Sequence, residues 1–91
     1  MKRIFKYAIP IQDYIEKMMP RGARILHFAT QNGIPFLWVM IEDCLKEDLQ
    51  PYRFRIFGTG HKIENDKDLK YIGTVLVLDD GLVWHLFQEI K

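Results

Sequence analysis

The chain has 91 residues, 48% of them apolar and 27% charged, which is typical of a single small domain over residues 1–91 and excludes a disordered chain. Thirteen Lys and Arg residues against twelve Asp and Glu leave a net charge of +1, and this balance argues against nucleic acid as the partner. A single cysteine, no signal-peptide pattern and no long apolar stretch predict a cytoplasmic protein that does not enter a membrane.

The first twenty residues contain one clear strand and one ambiguous segment. Residues 3–9 alternate in the manner of a strand, and one face carries Phe5, Tyr7 and Ile9. Residues 11–19 place apolar side chains at helical spacing, which predicts a helix that starts near Pro10 and ends at Pro20. The competing interpretation is an extended segment over residues 14–18, followed by a turn.

Two hairpins are predicted further along the chain. Asn32-Gly33 supplies the positive φ angles of a tight turn between strands at residues 24–30 and 34–42. The stretch 36–41 is apolar on both faces, so we expect a central strand covered by protein on each side. The second hairpin joins residues 71–78 to 82–90 through Asp79-Asp80-Gly81, with a bulge or bend at Gly73.

These elements predict a mainly β fold with at most one short helix. We expect a small antiparallel sheet, a sandwich or a partly open barrel of about six to seven strands. Small all-β chains expose strand edges, and pairing between copies is a common way to cover them, so a homo-oligomer is one expectation.

The segment most like a ligand site is the turn formed by Gly58, Thr59, Gly60 and His61. Two glycines let backbone N–H groups converge on a phosphate or carboxylate, and Thr59 and His61 could add side-chain contacts. The segment lacks the spacing of a nucleotide-binding P-loop. A simple turn at the end of a strand is therefore the favoured interpretation, and a ligand-binding loop is the alternative.

Two arginines precede this turn on an alternating strand. Tyr52, Phe54 and Ile56 share one face of residues 52–57, and Arg53 and Arg55 share the other. These arginines could hold a phosphate together with the 58–61 turn. If the first strand were a neighbour, they could also form a basic face with Lys2, Arg3 and Lys6. A solvated sheet face is the competing interpretation.

Residues suited to catalysis or metal binding give little support to an enzyme. The chain has no serine, so a Ser-His-Asp triad is excluded. Cys44 lies beside Asp43, whose charge disfavours a reactive thiolate. No metal-binding motif links the three histidines, which are His27, His61 and His85. We therefore expect a non-catalytic protein with no cofactor and no metal.

Five large rings have two interpretations: Trp38, Trp84, Phe36, Phe57 and Phe87. They could be stacking platforms for a nucleic-acid base. A chain this short usually needs its large rings inside, however, so we expect them in the core.

Six segments, spread in order over nearly the whole chain, carry a family resemblance: IFKY (4–7), MPRGARIL (19–26), NGIPFLW (32–38), FRIFGTGH (54–61), YIGT (71–74) and LVWHLF (82–87). They resemble a family of small uncharacterised proteins found mostly in bacteriophage and bacterial genomes. The resemblance implies no established activity and no catalytic residue. It implies a phage or prophage origin, and it favours a strand over residues 14–18.

The expected function is that of a non-catalytic cytoplasmic binding protein. It would engage a host protein through an exposed sheet face or edge and modulate host processes or defence. The alternative is binding or sequestering a phosphorylated small molecule, such as a nucleotide signal, at the 58–61 turn with Arg53 or Arg55. A small enzyme is the third hypothesis.

Overall fold

The structure, a computed structural model, describes residues 1–42, 48–77 and 81–90. They form seven strands and a short 3₁₀ turn at Asp66–Asp68: β1 (Lys2–Ala8), β2 (Tyr14–Pro20), β3 (Arg24–Gln31), β4 (Ile34–Glu42), β5 (Leu49–Gly58), β6 (Leu69–Val77) and β7 (Leu82–Glu89). The first sheet has the order β1-β4-β3 and the second has the order β2-β5-β7-β6, with every pair antiparallel. The predicted mainly β fold is confirmed. No helix in this described part of the chain has the length and apolar character needed to span a membrane.

The two sheets share one hydrophobic core. Alternate residues of each strand point inward, as in β4, where Leu37 and Val39 are fully buried, and in β5, where Phe54 is fully buried. The buried cluster comprises Ile9, Ile15, Met19, Phe28, Leu37, Val39, Ile41, Phe54, Ile56, Val75 and Leu86.

Residues 14–20 form strand β2, so the helix predicted over residues 11–19 is wrong and the extended interpretation is confirmed. Ile15 and Met19 are buried, whereas Tyr14 and Met18 are exposed. A spacing of four residues is even, so it places Ile15 and Met19 on one face of a strand as well as on one face of a helix. Antiparallel pairing with β5 along the whole of β2 decides between the two.

Both predicted hairpins are present as antiparallel strand pairs. β3 and β4 meet at Asn32 and Gly33, whose φ angles are +53° and +78°, as a two-residue hairpin turn of type I′ requires. β6 and β7 pair from Leu69 to Val77, as the second hairpin predicts. Four residues that the sequence singled out lie outside the described residues: Asp43, Cys44, Asp79 and Asp80.

The bulge or bend predicted at Gly73 of β6 is a bulge beside that residue. Tyr71 pairs with Phe87 and Gly73 pairs with Leu86 of β7, so Ile72 is the inserted residue. A Cβ atom on Gly73 would lie 3.3 Å from the Cβ of Phe28, a core residue of β3. The glycine therefore lets the edge of the second sheet approach the edge of the first.

β4 is the central strand of the first sheet, as predicted, but the expectation that both of its faces are covered is wrong. Leu37 and Val39 point into the core, whereas Phe36, Trp38 and Met40 on the other face are only partly buried. Within the residues that the structure describes, no strand packs over this outward face. The first sheet therefore has one open face.

The chain crosses from the second sheet to the first at residues 20–23, and Tyr52 of β5 holds the crossing. The Tyr52 hydroxyl donates a hydrogen bond to the Pro20 carbonyl at 2.8 Å. It also accepts one from the Ala23 backbone N–H at 3.2 Å. The same N–H donates to the Pro20 carbonyl at 3.1 Å, which closes the turn.

Candidate functional site

The 58–61 turn is closed by its own histidine. The Gly58 backbone N–H donates to Nδ1 of His61 at 3.0 Å, and the His61 N–H donates to the Gly58 carbonyl at 3.1 Å. The His61 ring lies so close over Gly58 that a Cβ there would come within 3.0 Å of Cε1, and it contacts the Trp84 ring edge-on. The Gly58 N–H is therefore already bonded and is not directed at an anion.

Thr59, the second residue of the turn, takes part in a chain of side-chain hydrogen bonds. Its Oγ1 lies 2.9 Å from Nε2 of His85, and Thr74 Oγ1 lies 3.0 Å from Nδ1 of the same ring. The Tyr71 hydroxyl is bonded in turn to Thr74. Both ring nitrogens of His85 thus lie within hydrogen-bond distance of a threonine hydroxyl.

The three histidines lie at separate places. His27 is on the outward face of the first sheet, His61 covers Gly58, and His85 is bonded to threonines on the second sheet. Among the described residues, no group of three or more His, Cys, Asp or Glu side chains is arranged to hold a metal ion.

Arg53 and Arg55 share the outward face of β5, as the alternation predicts. Nε of Arg53 lies 3.3 Å from a carboxylate oxygen of Glu16, in an exposed ion pair. Nε of Arg55 donates to the Asp13 carbonyl at 3.1 Å, and its guanidinium carbon lies 4.0 Å from the centre of the Tyr14 ring. Both arginines therefore have partners within the chain.

The surroundings of Arg55 are acidic. A cavity of about 300 Å³ beside it is also lined by Glu64, Asp68 and Glu89. A phosphate bound there would face these carboxylates. The joint basic face considered for β1 and β5 is wrong, because the two strands lie in different sheets, so β5 does not neighbour Lys2, Arg3 and Lys6.

A more open candidate site is the outward face of the first sheet. In its central row, Trp38 of β4 lies between Lys6 of β1 and His27 of β3. The centres of the Trp38 and His27 rings are 6.1 Å apart, and the rings are tilted by 44°. We call this surface the tryptophan face, and it comprises Ile4, Lys6, Ala8, Arg24, His27, Ala29, Phe36, Trp38 and Met40.

Phe36 lies in the next row of this face, between two small residues. Its cross-strand neighbours are Ala8 and Ala29, whose methyl groups leave space around the ring. The ring centre is 6.0 Å from that of Trp38. The Lys6 ammonium lies 4.5 Å from the centre of the Phe36 ring, within the range of a cation–π contact.

The charged side chains of the tryptophan face are basic. Lys6 and Arg24 belong to it, and Lys2 lies at its end, directly opposite Glu42. The Glu42 carboxylate is already 2.8 Å from the amino group of Met1. Among the described residues at this face, positive charges therefore outnumber negative ones, although the whole chain has a net charge of only +1.

The expectation that the large rings lie in the core holds for Trp84, which packs against it, and is wrong for Phe36 and Trp38. Phe57 is buried, but on the outward face of β5, where it contacts Phe87. One signal in the sequence could have located the open face. In β4 the residues facing the core are aliphatic, whereas both rings fall on the opposite face.

Comparison with known families finds one match over residues 1–91, described as "Domain of unknown function (DUF7352)". No curated protein and no solved structure matches the chain. This match confirms the resemblance to an uncharacterised family. It does not show a phage or bacterial origin. The chain belongs to the DUF7352 family of domains of unknown function.

Proposed function

We propose that this protein is non-catalytic and binds a macromolecule of a host cell through the tryptophan face. The observation that carries the proposal is the open outward side of β4, where Phe36, Trp38 and Met40 are only partly buried. Aromatic rings and Met are enriched in the centres of protein interfaces, and aromatic rings also stack on bases. A contiguous patch of such side chains on a small domain is typical of a binding surface.

The origin and setting belong to the same proposal. The resemblance to a family found mostly in bacteriophage and bacterial genomes supports a protein encoded by a phage or prophage and acting in the host cytoplasm. Binding there would modulate host processes or defence. A host protein is the partner class expected from the sequence.

Binding of a phosphorylated small molecule is the alternative proposal. A shallow cavity of about 260 Å³ lined by Thr59, His61 and Trp84, among others, supports it. The bonded N–H of Gly58 and the acidic surroundings of Arg55 count against it. A ligand present at 100 times its Kd stabilises a protein by about 2.7 kcal/mol, so a panel of nucleotides should raise the melting temperature. An unchanged melting temperature across the panel contradicts this alternative.

The proposed function is tested by capture from a bacterial lysate on immobilised protein, with retained proteins and nucleic acids both identified. Lys6→Ala and Trp38→Ala alter the tryptophan face. Tyr14→Ala is the matched control, because Tyr14 is an exposed ring (66%) on β2, the edge strand of the second sheet that is remote from the tryptophan face. Circular dichroism and thermal melting check that each variant is folded.

The expected result is a host component that the wild type and Tyr14→Ala both retain, that Trp38→Ala loses and that Lys6→Ala retains less well. Equal retention by all four proteins would contradict the proposal. So would the absence of any component retained above the bare support.

A further inference from the structure

We infer that the macromolecule bound by the tryptophan face is single-stranded nucleic acid, with bases stacked on Phe36 and Trp38 and phosphates close to Lys6 and Arg24. The inference rests on the proposed function and names the partner class for the same face. It departs from the expectation drawn from net charge, because that expectation averages over the whole chain.

The aromatic part of the face is arranged for stacking. Phe36 and Trp38 are two residues apart on the central strand, so both rings project from the same side of the sheet. Ala8 and Ala29 flank Phe36 and leave room for a base beside it. Sheets that recognise single strands use rings on their faces in this way.

The charged part of the face supplies partners for the phosphates. Lys6 and His27 lie on either side of Trp38, and Arg24 lies one row further along β3. The Lys6 ammonium also donates an exposed 2.8 Å hydrogen bond to Oε1 of Gln31. A cation–π contact at an exposed site is weak, so a base can replace the ammonium over the Phe36 ring while Lys6 exchanges Gln31 for a phosphate. The nearby Glu42 is paired with the amino group of Met1, which reduces its repulsion of phosphates.

The geometry favours a single strand over a duplex. The two ring centres are 6.0 Å apart, whereas stacked bases in a duplex follow one another at about 3.4 Å. Two bases that each contact one ring must therefore be unstacked from each other. A duplex also hides the faces of its bases, so it could meet this sheet only through its phosphates.

The outward face of the second sheet gives an internal comparison. It also carries rings, including Tyr14, Tyr71 and Phe87, but the cavity beside Arg55 is lined by Glu64 and other carboxylates. These carboxylates would repel a phosphate backbone. Rings and an excess of cations thus occur together on the tryptophan face.

The first experiment measures fluorescence anisotropy of labelled oligothymidylate, oligouridylate and a duplex of matched length. Comparing oligothymidylate with oligouridylate shows whether the protein prefers single-stranded DNA or single-stranded RNA. Base stacking on one ring changes affinity by roughly 5- to 150-fold on alanine substitution, so Trp38→Ala should weaken binding by this factor. Tyr14→Ala should leave it unchanged, and the duplex should bind more weakly than either single strand.

The salt dependence checks the charged groups. If Lys2, Lys6 and Arg24 each neutralise one phosphate, the slope of log K against log salt should be about −2 for a single strand. Lys6→Ala should reduce the magnitude of that slope by about 0.7.

Intrinsic fluorescence locates the contact. Trp84→Phe leaves Trp38 as the chain's sole tryptophan, and its emission should be quenched as a single strand is added. If Trp84→Phe fails to fold, the fluorescence of the wild type is compared with that of Trp38→Phe. Addition of a single strand should quench the emission of the wild type and leave that of Trp38→Phe unchanged.

Three results would overturn the inference: no binding of either single strand, equal binding of the duplex, or binding unaffected by Trp38→Ala. Suppose that the wild type captures a host protein, that Trp38→Ala does not, and that the oligonucleotides do not bind. The proposed function then stands and the nucleic-acid inference is wrong. If neither partner depends on Trp38, both fall.

Discussion

Replacing Tyr52 by Phe should destabilise the fold by removing one oxygen atom. The hydroxyl makes the 2.8 Å hydrogen bond to Pro20 and the 3.2 Å hydrogen bond from Ala23. The Ala23 N–H and the Pro20 carbonyl remain bonded to each other at 3.1 Å, so neither group loses every partner. Since a net hydrogen bond contributes about 0.5–1.5 kcal/mol, we expect a loss of about 1–2 kcal/mol in the free energy of unfolding.

For a domain of this size, 1 kcal/mol corresponds to roughly 4–8 °C in melting temperature. Thermal unfolding followed by circular dichroism should therefore show Tyr52→Phe melting at least about 4 °C below the wild type. Tyr14→Phe is the control, because the Tyr14 side chain is 66% exposed and its substitution should change stability by less than about 0.5 kcal/mol. Equal melting temperatures for wild type and Tyr52→Phe would refute the role given to this hydroxyl at the crossing between the sheets.

Three further predictions concern the core, a turn and pH. Gly73→Ala brings a methyl group within 3.3 Å of buried Phe28. Unfolding in urea should show a loss of about 1–3 kcal/mol in the free energy of unfolding. Unchanged stability would refute the close approach of β6 and β3. Gly33→Ala forces a φ of +78° on a residue with a side chain, so melting should show a loss of about 1–2 kcal/mol, and no loss would contradict the turn geometry. Burial raises the pKa of Tyr7 above its ordinary value of 10.0. As pH rises above about 10, Tyr7 therefore ionises in the unfolded chain before it ionises in the folded protein. The contribution of Tyr7 to the free energy of unfolding should fall over this range. Denaturant unfolding across this range should show a smaller fall for Tyr7→Phe, and identical pH profiles would contradict the effect of burial.

The strands and their turns could be predicted because local chemistry specifies them. Asn32-Gly33 adopts the two positive φ angles of a tight hairpin, and few other residue pairs do so at low cost. Gly73 directly follows the bulge in β6, and a side chain at Gly73 would meet Phe28 of β3. Residues 11–19 are ambiguous in the sequence because Ile15 and Met19 satisfy two periodicities, and only pairing with β5 decides between them.

The open face of the first sheet could not be predicted from the same kind of pattern. The apolar run 36–41 has the same sequence whether one or both of its faces are covered. Its outward face is open because β1 and β3 pair with the edges of β4 and nothing described packs over its rings. The acidic surroundings of Arg55 likewise come from residues far along the chain, including Glu64 and Glu89.

Hydroxyl-radical footprinting of the protein, free and bound to the component captured from lysate, tests the central claim most directly. The account predicts that Trp38 and Met40 are oxidised more slowly in the complex. Tyr14 and Met18, which are exposed on the outward face of β2 in the second sheet, should be oxidised at unchanged rates. Protection of Tyr14 and Met18 with no protection of Trp38 would contradict the claim that the tryptophan face is the binding surface.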